Sequence, residues 1–217
     1  NKALKRTKTA VTFFAKTRKK TAINFGPLAK RYTQGTSMKL RILLCLVFFL
    51  SGCSAMGVVE TNDPNEKLIQ ASHLQSNGRP IPAERIALEA LQIFQGQQDA
   101  MGSGEANLFL GQFYKAKSGW GNVNKDEFLN KSIKYINSSI DNFLSIQENI
   151  QASKAVFELA QSYRGKEKII EMCSNFQRSL ELYNSGIGTA KSFQYNKQFG
   201  SVRGLIEAHI EQLCTNV

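Results

Sequence analysis

The sequence predicts an all-α fold. Apolar residues recur at three and four positions, as in Leu88, Leu91 and Ile93-Phe94, or Phe157, Leu159, Ala160 and Tyr163. Alternating β-branched runs are missing. Only 4 prolines occur in 217 residues, and Pro80 and Pro82 stand together in what reads as a helix–helix turn.

Charge divides the chain before any helix begins. The 28 Lys and Arg outnumber the 17 Asp and Glu, a formal net charge of +11. Residues 1–52 hold 12 of the basic side chains and no acidic one, so the remainder carries 16 against 17. The basic excess therefore belongs to the N-terminal stretch. A nucleic-acid role would need a basic face on the folded part, and bulk charge does not supply one. Residues 1–37 are rich in Lys, Arg and Thr and begin with Asn. Three readings compete for them: a nucleic-acid-binding arm, a transit-type leader, and sequence upstream of the true start. The last is favoured, with the stretch non-native and disordered, because a complete targeting signal follows it.

That signal spans residues 38–52. Lys39 and Arg41 follow Met38, and Ile42 to Leu50 is a continuous apolar run. Its nine residues suit a signal-peptide core and are about half of what a spanning helix needs. Leu50-Ser51-Gly52-Cys53 comes next. This stretch resembles the lipobox of bacterial lipoproteins, in which small residues precede an acylated Cys. The resemblance implies diacylglycerol transfer to the Cys53 thiol, cleavage before Cys53, and acylation of the new amino group, usually by palmitate. Several acyl chains anchor stably where one is marginal. In such lipoproteins Asp after the Cys often retains the protein in the inner membrane. Ser54 stands there instead, which implies the outer membrane, facing the periplasm.

Residues 53–65 are polar, contain Gly57 and Pro64, and read as a tether. Residues 66–217 form the helical domain. Three of its segments share a small anchor residue with a large apolar one three positions later: Ala71 and Leu74, Gly111 and Tyr114, Ala160 and Tyr163. Ala83, Ala87 and Ala90 lie 12, 16 and 19 positions after Ala71, and Met172, Phe176 and Ser179 lie at the same offsets after Ala160. After Gly111, Tyr135 and Ser138 fit if eight residues are inserted, and Gly119-Trp120-Gly121-Asn122 supplies the insert.

This pattern resembles tetratricopeptide repeats, with Leu110-Gly111…Tyr114 and Leu159-Ala160…Tyr163 carrying most of it. The resemblance implies antiparallel helix pairs stacked as a short superhelix, with Thr189 to Cys214 as a C-terminal capping helix. It covers Glu66 to about Ser185. No repeat ends in the usual Pro, and the anchors are unevenly spaced. An irregular helical bundle is the alternative.

Recognisable catalytic chemistry is scarce. His73 and His209 lie alone on helices, and no Gly-x-Ser-x-Gly elbow occurs. Gly102-Ser103-Gly104 and Gly186-Ile187-Gly188 read as helix-opening turns and follow no strand, so neither is a phosphate loop. Cys173, His209 and Cys214 lack zinc-ligand spacing. No metal, cofactor or small-molecule substrate is implied, and the chain reads as a non-enzyme. Once Cys45 is lost with the signal and Cys53 is acylated, Cys173 and Cys214 remain. They are either a disulfide or two buried thiols.

Repeats of this class bind partners through the face made by their first helices. Residues at −6, −3, +1 and +4 from an anchor share one helical stripe. Gln75, Gln112, Lys115, Lys154, Phe157, Gln161 and Arg164 lie on it, suited to an extended peptide or partner helix with cations available for carboxylates. The expected function is a lipid-anchored envelope adaptor or assembly factor that binds another envelope protein. An envelope enzyme or its accessory subunit is the alternative, and a nucleic-acid binder acting through residues 1–37 the third.

Overall fold

Short polar residues decide where helices start. The computed structural model describes residues 60–121, 123–186 and 197–215. Residues 1–59 lie outside it, and with them the basic stretch, the signal and Cys53. In the first helix, α1 (Pro64–Ser76), Asp63 accepts a hydrogen bond from the Asn65 amide at 2.9 Å, and Pro64 occupies a first-turn position where no amide donor is missed. The expected tether therefore ends two residues early. Pro80 likewise opens α2 (Pro80–Gly96), so it and Pro82 lie within the helix and not in the turn. Asp99 caps α3 (Ala100–Lys117), Asn124 caps α4 (Lys125–Ser145), and Ser201 caps α7 (Val202–Cys214). Between these lie α5 (Asn149–Gly165), α6 (Ile169–Asn184) and a 3-10 turn, Lys197–Phe199. Every regular element among the described residues is helical.

Four of the turns close in one way. At the end of α1 the Arg79 amide donates to the Leu74 carbonyl, and the Gly78 amide to that of Gln75. The same pair of bonds recurs at Asp99 and Gln98, at Glu148 and Gln147, and at Lys168 and Glu167. This is the Schellman closure, which puts one residue in the left-handed region. Gly78 takes it without steric cost at φ +70°. Gln98, Gln147 and Glu167 take it at φ 57° to 59° despite their side chains.

The helices pair antiparallel. On α3, Gly104 faces Phe143 of α4 and Gly111 faces Ile136, so seven steps forward on one helix are seven back on the other. Across α4 and α5, Ser132 meets Ser162 while Leu129 meets Gly165, again with opposite direction. Small residues set these approaches. The second helices of the three pairs bury equivalent trios: Ala83, Ala87 and Ala90; Ser132, Ile136 and Ser139; Met172, Phe176 and Ser179, none more than 1% exposed. The middle trio lies one residue beyond Tyr135 and Ser138. The insertion is thus nine residues and not eight. Removing it leaves a uniform period of 40 between anchors, since Ala71 to Gly111 is 40 and Gly111 to Ala160 is 49.

Gly102, Ser103 and Gly104 are buried inside α3 and are not an opening turn. A side chain on Gly104 would meet the Phe143 ring at 2.6 to 2.9 Å. Gly186 ends the α6 turn at φ +68°, and the rest of its motif lies outside the described residues. Of the expected capping segment, Thr189 to Cys214, residues 189–196 lie outside the described residues, and the rest is the 3-10 turn and α7. Leu205 and Ile206 of α7 are buried against Leu180 and Tyr183 of α6, and Phe157 of α5 packs beside them.

Candidate binding cleft

The first helices of the three pairs, α1, α3 and α5, line a cleft of about 310 Å³. Leu68 and Ile69 of α1 and Leu108 and Phe109 of α3 make its apolar floor. Ser72, Gln112 and Gln151 give it hydrogen-bonding sides, and Glu105 and Lys154 bring opposite charges to it. Leu68, Ser72, Glu105, Leu108, Gln112 and Lys154 all occupy the stripe positions derived from the anchors, since helices with a common register present equivalent positions to one face.

Electrostatics differ along this face. Gln112 donates from Nε2 to Glu158 Oε1 at 2.9 Å, and Lys115 pairs with Glu158 Oε2. Glu158 therefore clamps α3 to α5. Lys154, one turn before it, forms no hydrogen bond or ion pair within 4 Å among the described residues. Burial pushes Lys154 below the usual lysine range, and the carboxylates of Glu158 and Glu105 offset only part of that. Glu105 is exposed as a residue, and neighbouring atoms shield it from part of the surrounding water. That raises its pKa, against the opposing pull of Lys154. In both groups desolvation is the largest cause of the shift, and their mutual attraction opposes it.

The other stripe residues fall into two groups. Gln75 and Gln161 are half-buried and Arg164 is exposed. Phe157 corrects the sequence reading: its ring packs 5.3 Å from Phe176 and 5.0 Å edge-on to His209. The capping helix uses it as packing surface, so it is not an open groove anchor. His209 is held there by its Nδ1, 2.8 Å from the Leu205 carbonyl, and His73 is exposed on α1. Sequence reasoning missed Glu158 and Phe109. Glu158 stands four residues after Lys154, the spacing of a helical ion pair, but its partner is Lys115. Phe109 carried no signal, because a helical Phe beside a buried Leu reads as core.

Cys173 on α6 and Cys214 at the end of α7 are joined by a disulfide, with Cα atoms 5.6 Å apart. It fastens the cap to the last pair. Among the described residues no cluster of three or more His, Cys, Asp or Glu could hold a metal, and no helix is long and apolar enough to cross a membrane. Compared with protein-family models and with curated proteins, the chain matches neither.

Proposed function

We propose that this is a lipid-anchored envelope protein that captures another envelope protein through the cleft of a tetratricopeptide-like array. The cleft carries the reading. It joins an apolar floor to two charges that folding leaves imperfectly compensated, and a binding partner that pairs them recovers that free energy. The lipobox at Cys53 and the nine-residue apolar run before it support the anchor. The joined Cys173 and Cys214 suit an oxidising compartment such as the periplasm. The uniform anchor register supports the repeat assignment, although the period of 40 exceeds the 34 typical of tetratricopeptide repeats.

The test is crosslinking in the native envelope followed by co-purification, comparing the natural protein with Lys154→Met plus Glu105→Gln. The double variant removes both charges. Its Tm should hold, because neither side chain forms a hydrogen bond or an ion pair among the described residues. Its crosslinked partner should be lost. A variant that keeps its partner at natural yield would remove the cleft from the reading. Membrane release by Cys53→Ser tests the anchor separately.

A further inference from the structure

Two separate surfaces of the first helix pair expose large apolar side chains. Ile69 of α1 is 57% exposed and forms part of the cleft floor. Ile81, at 83%, and Leu88 lie on the outer side of α2. With Arg85 and Gln92 they make one exposed helical stripe, spaced by four, three and four residues. Glu89 lies beside that stripe, on the same shallow groove.

The two surfaces match in charge. The cleft brings together Glu105 of α3 and Lys154 of α5, each six positions before its anchor, and neither forms an ion pair among the described residues. The α2 stripe carries Arg85 and Glu89, one turn apart. Arg85 suits Glu105, and Glu89 suits Lys154. Residues one turn apart on a helix have Cβ atoms about 5–6 Å apart. Neighbouring packed helices lie about 8–10 Å apart. The long Arg and Lys side chains span the difference. Leu88 follows Arg85 by three residues and precedes Glu89, so it faces the apolar floor when both charges are engaged.

Arg85 is available for this. Its side chain is 61% exposed and meets Glu89 at 3.1 Å, and an exposed pair of that kind contributes little to stability. Glu89 keeps Lys67 on Oε2 when Arg85 leaves, and its Oε1 becomes open to a new cation. An exchange of ion pairs therefore costs the fold little, while Glu105 and Lys154 gain partners.

We infer that the cleft takes the outer face of α2 from a second copy of this chain. The inference rests on the cleft as a binding site, proposed above. The first helices contact one another, α1 with α3 and α3 with α5, and form the layer that holds the cleft. The α2 stripe belongs to the layer of second helices. The contact is therefore head-to-tail: it joins unlike surfaces and propagates from copy to copy. It also competes with the envelope partner, so associated copies keep their clefts filled until that partner displaces α2.

The test uses the full protein in mild detergent, as a mixture of heavy-isotope and ordinary copies, with a carbodiimide to join touching lysines and carboxylates. Lys154 should be found joined to Glu89 between heavy and ordinary copies, and gels should show a ladder beyond the dimer. Arg85→Glu should lose both. Arg85→Glu plus Glu105→Arg should restore them, because the reversed charges meet again across the contact. Half-filled clefts bind a competitor about twofold more weakly, so Arg85→Glu should raise the yield of the envelope partner crosslinked in the native envelope about twofold. Linkages confined to copies of one label, or a ladder that Arg85→Glu leaves intact, overturn the inference. If Lys154→Met plus Glu105→Gln then still loses the envelope partner, only the self-association falls and the cleft stands. If neither the ladder nor the envelope partner depends on Lys154 and Glu105, the inference and the cleft reading fall together.

Discussion

At equivalent positions of their first helices, α3 carries Gly104 and Gly111 where α5 carries Ser153 and Ala160. The second helices match them with Ser139 and Ile136 in α4, and with Ser179 and Phe176 in α6. In both pairs a serine hydroxyl donates to the opposing backbone: Ser139 to the Gly104 carbonyl at 2.8 Å, Ser179 to the Ser153 carbonyl at 2.9 Å. In the last pair Ser153 returns the bond to the Ser179 carbonyl at 2.7 Å. The middle pair has no hydroxyl to return. It gains contact by removing Cβ atoms, so that the Phe143 ring and Ile136 lie against backbone. One register therefore tolerates two chemistries: steric emptiness in the middle, and reciprocal hydrogen bonds at the end. The difference makes the middle pair sensitive to added volume and the last pair sensitive to lost polar atoms.

The largest effect should come from the fastening that only the last pair has. Replacing Cys173 and Cys214 with Ser reopens a 41-residue separation, worth about 4 kcal/mol in the chain-entropy model. Amide exchange should accelerate in α6 and α7 far more than in α3 and α4. Uniform acceleration would mean that the pairs unfold as one unit, and the regional contrast would fail.

Added volume comes second. Gly111→Leu and Gly104→Leu should each cost roughly 1–3 kcal/mol, read as a lower Tm. At Gly111 the new Cβ meets Ile136 Cγ1 and also the Ile136 backbone nitrogen at 3.3 Å, which cannot swing aside. Gly165→Ala meets only the end of Leu129, at 3.0 Å, and should cost clearly less. Tolerance at Gly104 would show that Phe143 has somewhere to go, and would favour a looser bundle.

Lost hydroxyls come third. Ser153→Ala and Ser179→Ala should each cost about 1 kcal/mol, and together less than their sum, because the two hydroxyls also lie 3.1 Å apart and either variant already removes that shared contact. Ser139→Ala should cost a similar amount alone with no coupled partner. Additive losses in the last pair would mean that the reciprocal bonds act independently.

The all-α class was legible because the apolar spacing of Phe157, Leu159, Ala160 and Tyr163 is helical and nothing alternates. The anchors were legible because small residues stand out against large ones. The insertion length was off by one because Tyr135 and Ile136 are adjacent, both large and apolar, and only packing against Gly111 tells which faces inward. Gly102 to Gly104 misled because glycine pairs favour turns, while Asp99 had already started the helix. Phe157 misled because its cover, α7, lies some fifty residues away in the chain. The disulfide was legible as a pair of candidates, but its geometry was not.

The smallest effect concerns the turns, which least distinguish the pairs. Gln98 precedes α3 and Gln147 precedes α5 at equivalent points of the register, and each holds φ near +58°. A non-glycine residue there costs about 1–2 kcal/mol. Glycine removes that strain but gives back about 0.5–1 kcal/mol through the freedom it adds to the unfolded chain. Gln98→Gly and Gln147→Gly should therefore each gain about 0.5–1 kcal/mol in denaturant unfolding. Gly78→Ala, at the same turn position with nothing within 4 Å of the new methyl, should lose a comparable amount through the backbone alone. If the closures are equivalent, the two gains should agree whichever pair follows, even though those pairs pack so differently. A gain at Gln147 without one at Gln98 would mean that the α2–α3 turn is held by contacts its backbone bonds do not reveal, and the common register would stop short of the turns.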